Sequence, residues 1–249
     1  MYATIFARRS VLLLTVAATL AALLAAGPLT AQPRSAEPQA RSLRIGIIGA
    51  GNMGGPLGVV WAEAGHQVLW GTRNPGELMP LVQQAAPRAS AGFADAAAFF
   101  GDVVVLAVPP SAVPQLGSDI GELLRGKVVI DMTNPRADRD GQEQTAEWLA
   151  MGTGEAMARY LPGARIVKAF NALGAPMLGN PAPNGVRIGV PIAGDDAADR
   201  ELVAALVRDA GFEPVIVGPL SRAKEFDRGT PVWVTGMNAE QVREALGVR

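Results

Sequence analysis

The sequence predicts an α/β protein: a doubly wound, mostly parallel sheet of the Rossmann type, in a single compact domain over residues 43–249 with a C-terminal strand–helix extension. Three observations predict it. Continuous apolar runs such as DVVVLAV (102–108) and KVVIDM (127–132) read as strands buried on both faces, the pattern of parallel sheets. Helical patterns separate successive runs, which is the alternation of βα units. The first run, LRIGIIG (43–49), ends directly in Gly49-Ala50-Gly51-Asn52-Met53-Gly54, a full G-x-G-x-x-G that opens a helix.

The other elements follow in order. QVLWG (67–71) is the second strand and RASAG (88–92) a short third. After 102–108 and 127–132 come ARIVKAF (164–170), VRIGVPIAG (186–194) and FEPVIVG (212–218). Between them, 52–63 is helical and Gly65 suits its C-terminal end. FADAAAFF (93–100) is a short apolar helix, and Ser111 is the expected cap of a helix through Leu124. A helix over 145–160 is interrupted by Gly152-Thr153-Gly154. Asp195 and Asp196 open a helix whose Leu202 and Leu206 lie four apart, on one face. Residues 220–228 and 238–246 read as short terminal helices, and no internal repeat is visible.

The first 31 residues read as a secretory leader: Arg8-Arg9, an uncharged apolar run at 11–26, then small residues with a cut expected after Ala31. The run is shorter than the roughly 20 residues of a comfortable membrane span. Arg8 to Leu13 also resembles a twin-arginine signal. The expectation is an exported, periplasmic protein that meets the membrane only during export. An uncleaved membrane anchor and a cytoplasmic location are the alternatives. Residues 32–42 read as a polar linker. The chain has 22 basic and 23 acidic residues, and losing Arg8 and Arg9 leaves 20 against 23. That mild acidity gives no footprint for nucleic acid. With no cysteine and one histidine, disulfides, thiol nucleophiles and Cys- or His-rich metal sites are excluded.

The glycine-rich turn carries the chemistry. Gly49 permits a tight turn, Gly51 lets a pyrophosphate approach the backbone, and Gly54 lets the helix press on the sheet. The helix N-terminus offers free N–H groups and partial positive charge to phosphates. An NAD site places an acid about 20 residues further on, at the end of the second strand. Here that place reads Gly71-Thr72-Arg73-Asn74. A guanidinium suits a 2′-phosphate that a carboxylate would repel, so NADP(H) is expected over NAD(H). Asn74 adds a hydrogen bond or simply starts the turn into Pro75.

Val108, Pro109 and Pro110 form an expected apolar ledge for the nicotinamide ring. Thr133 and Asn134 face the same crevice, with Asp131 either there or capping a turn. Lys168 and Asn171 are candidate polar groups near the acceptor, although a strand-end lysine is more often a surface charge. His66 is expected on the surface at the opposite edge. The four tryptophans and eight methionines look like packing residues.

Seven segments together are similar to the coenzyme F420-dependent NADP reductase family, whose Rossmann module also occurs in the cytosolic part of mammalian ferric reductases. They are IGIIGAGNMG, AGHQVLWGTRNP, DVVVLAVPPSAV, GKVVIDMTNP, RIVKAFNALGAPML, PIAGDD and GFEPVIVGPLSRAKEFD, and they run from about 43 to 228. The resemblance implies NADP(H) held by Gly49, Gly51, Asn52, Met53 and Gly54, with Thr72 and Arg73 at the 2′-phosphate; Ala50 of the turn and Asn74 are further candidate cofactor contacts. It places Val108 and Pro109 under the ring and Asn171, Ala172 and Leu173 beside the acceptor. It implies no dedicated catalytic acid or base: hydride passes between stacked rings, and the protein supplies geometry. The partner is then a small-molecule redox carrier, F420, FMN or FAD. The leader departs from the family, whose members are usually cytosolic. The alternatives are a non-catalytic NADP-binding sensor or accessory module, and an imine reductase of the pyrroline-5-carboxylate reductase type. The acceptor's identity, the direction of flux and the oligomeric state, a homodimer included, stay open.

Overall fold

Eight strands form one sheet in the order β3-β2-β1-β4-β5-β6-β7-β8. The computed structural model describes residues 42–248; the expected leader, its cleavage site and all of the linker but Ser42 lie outside the described residues. The strands are β1 (Arg44–Ile48), β2 (Gln67–Gly71), β3 (Ala89–Gly92), β4 (Val103–Leu106), β5 (Val128–Asp131), β6 (Arg165–Lys168), β7 (Gly189–Gly194) and β8 (Glu213–Gly218). Each of the eight apolar runs becomes a strand. Every pairing is parallel except β6 with β7, where the chain reverses.

The uninterrupted apolar strands are explained by two core layers. Ile45, Ile47, Val103, Val105, Val128 and Ile130 face one side, where they meet α1 (Gly54–Glu63) and, further along, α9 (Ala197–Asp209) through Leu57, Trp61, Val203 and Leu206. Ile48, Val104, Leu106 and Val129 face the other, against α3 (Ala94–Phe100), α4 (Val113–Leu124) and α7 (Thr153–Tyr160). Alternate residues point to opposite faces, so both sets must be apolar. Each fully buried aliphatic side chain contributes about 1.5–3 kcal/mol relative to exposure. The remaining helices are α2 (Met79–Gln84), α5 (Ala137–Asp140), α6 (Gln142–Met151), α8 (Ala175–Leu178) and α10 (Ala239–Leu246).

Local signals set some of the helix ends. Asp196 caps α9, accepting from the Ala198 and Asp199 amides at 2.7 and 3.0 Å. Asn238 and Gln241 form a reciprocal capping box at α10. Gly152, at φ 95°, separates α6 from α7 where the Gly-Thr-Gly break was expected.

Two expectations are corrected and one is refined. Ser111 caps nothing: it lies in a 3₁₀ turn (Pro110–Ala112), α4 starts only at Val113, and the Ser111 hydroxyl donates to Asp140 Oδ1 at 2.8 Å. The short helix expected over 220–228 is present as a 3₁₀ helix and is shorter, Leu220–Phe226. His66 is not on the surface. It is 3% exposed, its Nδ1 accepting from the Leu43 amide at 3.2 Å and its Nε2 lying 3.1 Å from Asp209 Oδ2. The imidazole therefore ties the entry to β1 to the end of α9, at the sheet edge away from the glycine-rich turn.

The stretch 220–226 has a geometric consequence. Because β7 runs opposite to β6, Asp195 lies at the sheet edge where β6 begins, and its carboxylate accepts from the Leu220 amide at 2.9 Å. The Phe226 carbonyl accepts from Asn171, just past the C-terminal end of β6, at 3.1 Å. The 3₁₀ segment thus carries the chain along the sheet, back to the edge where the parallel strands end.

Candidate functional site

The glycine-rich turn is built by close backbone approach. Gly49 has φ 100°, and a Cβ there would lie 2.5 Å from the Ala107 carbonyl oxygen. A Cβ on Gly54 would lie 2.1 Å from the Gly49 carbonyl oxygen, so α1 can start this close to β1 only on glycine. Trp70 of β2 fastens the same corner by donating from Nε1 to the Gly54 carbonyl at 2.9 Å. No side chain caps α1 and its first turn carries no acid. The turn ahead of it is open, because a Cβ on Gly51 would meet nothing within 4 Å. This is an anion cradle of the dinucleotide type.

From this turn two clefts diverge, sharing Gly51, Ala107, Val108 and Pro109. The larger, about 900 Å³, runs past Gly71, Thr72 and Arg73 to α3 and α4. Arg73 is exposed and makes no hydrogen bond or ion pair with the protein among the described residues. The cleft's carboxylates are elsewhere and engaged: Asp95 accepts from the Ala96 amide at 2.8 Å and Asp119 from Gln115 at 2.8 Å. The end of β2 therefore presents a free guanidinium and a hydroxyl, and no acid.

The second cleft, about 390 Å³, is bounded by Asn52 and Met53, the Val108–Pro109 ledge, Met132, Thr133 and Asn134, and by Arg136, Arg139, Arg228 and Trp233. Its floor is braced from below. Lys168 and Asp131 are both fully buried and pair at 2.9 Å, and Lys168 also donates to the Thr133 carbonyl at 2.7 Å. Asp131 Oδ1 accepts from the Thr133 amide at 2.8 Å, so it caps the turn as well. Asn134 Nδ2 donates to the Asn171 carbonyl at 2.7 Å, which fixes the amide and leaves Oδ1 buried without a partner. Thr133 Oγ1 is buried and unpartnered too. A buried acceptor and a buried hydroxyl on two residues that line this cleft match the hydrogen-bonding groups of a nicotinamide carboxamide.

Asp140 clamps the rim. Burial acts to raise its pKa, but hydrogen bonds from the Arg139 guanidinium, the Arg136 amide and the Ser111 hydroxyl outweigh it and hold the carboxyl below its usual value. A depressed folded-state pKa gives stability that is fully present above the unfolded value, near 4, and is lost as pH falls through the folded value. Denaturant unfolding between about pH 5 and 2 should accordingly show a shallower acid loss in Asp140→Asn than in the parent protein.

The structure brings Gly49, Gly51, Thr72, Arg73, Val108 and Pro109 to one cleft, and Asn52 and Met53 to its neighbour. Other expected contacts lie elsewhere. Pro110 is buried rather than part of the ledge. Asn74 is exposed and donates to Glu77 Oε1 at 3.0 Å. Asn171 and Ala172 are buried behind the floor, holding Asn134 and, through the Ala172 carbonyl, the Val234 amide. Lys168 is not the surface charge its position suggested. Ala50 borders neither cleft. Sequence reasoning missed Met132, Arg136, Arg139, Arg228 and Trp233. Arg136 and Arg139 directly follow the Asp131–Pro135 segment already singled out, and that proximity was the available signal.

A mostly parallel sheet with an open glycine cradle, a strand end that presents a guanidinium and no acid, and an apolar ledge defines a Rossmann fold of the dinucleotide-binding type. Comparison with known proteins agrees: residues 44–135 match the family described as NADP oxidoreductase, coenzyme F420-dependent. The chain is 29% identical over 221 residues to the F420-dependent NADP reductase of Methanothermobacter thermautotrophicus, covering 83% of this chain and 94% of that one. It is 28% identical over 202 residues to rat metalloreductase STEAP3, covering 80% of this chain and 39% of the relative. The chain thus spans under two-fifths of the length of the metalloreductases it matches. Among solved structures, a putative F420-dependent NADP reductase of Arthrobacter superposes with a TM-score of 0.66 at 26% identity, covering 83% of this chain and 96% of that one.

Proposed function

We propose that the protein is an NADPH-dependent reductase that passes hydride between NADP(H) and a flavin or deazaflavin. The observation that carries this reading is the unpaired Arg73 guanidinium beside Thr72 at the end of β2, where no carboxylate stands. Bound NADPH supplies the hydride; the protein's residues bind, orient and exclude water. The cradle at Gly51 takes the pyrophosphate, Thr72 and Arg73 take the 2′-phosphate, and Thr133 Oγ1 and Asn134 Oδ1 take the carboxamide. No titratable side chain is assigned a proton-transfer step, because a hydride moving between two rings held face to face requires geometry above all. A cofactor loaded before twin-arginine export would reconcile an NADPH enzyme with an exported location, and exchanging both Arg8 and Arg9 for lysine should abolish that export in a fractionation assay.

Stopped-flow mixing of NADPH-loaded protein with F420, FMN and FAD tests the reading. Loss of the 340 nm band with at least one acceptor supports it. Tight NADPH binding with no loss for any of them supports a sensor instead. The imine reductase alternative is disfavoured, because the residues after β6 build β7 and β8 into the same sheet rather than a long helical domain.

Arg73→Ala should weaken NADPH by about 1.5–3 kcal/mol, the range for a hydrogen bond to a charged group, and leave NADH nearly unchanged. Side-by-side fluorescence titrations of both nucleotides check this. Equal losses for the two would place Arg73 away from the 2′-phosphate.

A further inference from the structure

Beyond the ledge, the smaller cleft has a composition that the dinucleotide does not account for. Three guanidinium groups line it, from Arg136, Arg139 and Arg228, and no carboxylate does. Two of the three are neutralised from outside. Arg136 pairs with Asp138, and Arg139 with Asp140 at 2.8 Å. Arg228 differs. Its guanidinium lies over the Trp233 ring at 4.7 Å from the centroid, it is exposed, and it makes no hydrogen bond or salt bridge among the described residues, feeling Asp138 only at longer range through its charge. Stacking on an aromatic face holds the fork in one plane while leaving its N–H edge free. The Trp233 Nε1 atom is buried with no partner, as is Thr230 Oγ1 two residues past Arg228. A cation pre-set on an aromatic face at one wall is what an incoming anion with a flat apolar body would meet.

On this basis, and resting on the reductase reading above, we infer that the wall formed by Arg228 and Trp233 selects an acceptor carrying both a planar ring system and an anionic group, phosphate or carboxylate. The ring would stack on the nicotinamide held against Val108 and Pro109, and the anion would meet the Arg228 edge. The cleft is within the size range of small-molecule sites, about 300–1,000 Å³. Arg228 is a specificity-determining residue in this scheme, since the hydride-accepting ring is the same with or without the anion.

FMN and riboflavin differ by one phosphate on a common ring system, so they isolate that contact. Their binding to NADP⁺-saturated protein is read by quenching of flavin fluorescence, and their reduction by kcat/KM with NADPH. The expected result is FMN bound at least 10-fold tighter than riboflavin. Arg228→Ala should lower FMN affinity about 10- to 100-fold with little change for riboflavin, and Arg228→Lys should recover part of the loss. Arg228 is exposed, and an unchanged thermal midpoint in the variant confirms that folding is not the cause. Equal affinity for the two flavins, or a loss in Arg228→Ala that falls on both alike, overturns the inference. So does a loss confined to NADP⁺ affinity, which would assign the arginine to the dinucleotide. The two readings separate cleanly. If Arg228 governs FMN binding but neither flavin is reduced, the anion subsite stands and the reductase assignment falls. If both flavins are reduced at equal affinity, the reverse holds.

Discussion

Replacing Lys168 by methionine is expected to lower the unfolding free energy by about 3–5 kcal/mol, the cost of leaving one member of a buried ion pair without its partner. Lys168 and Asp131 are both fully buried, and they meet at 2.9 Å across the β5–β6 pairing. Methionine retains most of the volume, so the loss is not a cavity effect. It comes from an uncompensated carboxylate in the core and from the Thr133 carbonyl, which loses the donor it has at 2.7 Å. For a domain of this size, the thermal midpoint should fall by about 6–20 °C. The double variant Lys168→Met/Asp131→Asn should recover part of the loss, because no buried charge remains and the asparagine oxygen still accepts from the Thr133 amide. Guanidinium unfolding of the parent, both single variants and the double variant measures the coupling. A single-variant loss below about 1 kcal/mol would mean that water reaches the pair and that the floor of the site is not braced as described.

That pair also shows what the sequence could and could not disclose. Most of the strands were legible because each is built on a short apolar run with turn residues at its ends, the signal of burial on both faces; the edge strand β3, Ala89–Gly92, is only partly buried and carries it weakly. The glycine cradle was legible because its geometry is local: Gly49, Gly51 and Gly54 lie within six residues and each has a backbone reason. Lys168 was misjudged because a lysine at a strand end is ordinarily solvated. Its true environment depends on Asp131, 37 residues away and brought alongside only by sheet register. His66 failed in the same way, since Asp209 reaches it from 143 residues on. Arg228 and Trp233 were the least accessible. They reach the crevice because β7 reverses direction and the 3₁₀ segment Leu220–Phe226 returns the chain to the opposite sheet edge. Neither the reversal nor the return has a composition signature, so half of the acceptor wall depends on topology rather than on motif.

Gly51→Val should abolish dinucleotide binding while leaving the fold intact, a separation that neighbouring glycines cannot give. A Cβ at Gly51 meets no protein atom within 4 Å, and its φ lies outside the left-handed region, so a side chain branching from that Cβ starts in open space without left-handed backbone strain. Stability should stay within about 0.5 kcal/mol, as for a surface substitution. The branched side chain would instead fill the cradle above the first turn of α1, where a pyrophosphate must come within hydrogen-bonding distance of the backbone N–H groups. An affinity loss of at least about 100-fold, or roughly 2.7 kcal/mol, is expected for NADPH and NADH alike. Gly54→Ala supplies the contrast. Its Cβ would lie 2.1 Å from the Gly49 carbonyl oxygen and 2.9 Å from Ala107 Cβ, so α1 must shift off the sheet and about 1–3 kcal/mol of stability should be lost together with binding. Thermal unfolding alongside nucleotide titration distinguishes the two. If Gly51→Val kept full affinity for both nucleotides, the pyrophosphate would have to bind away from the turn, and the assignments of Arg73, Thr133 and Asn134 to the two ends of the same molecule would lose their common anchor.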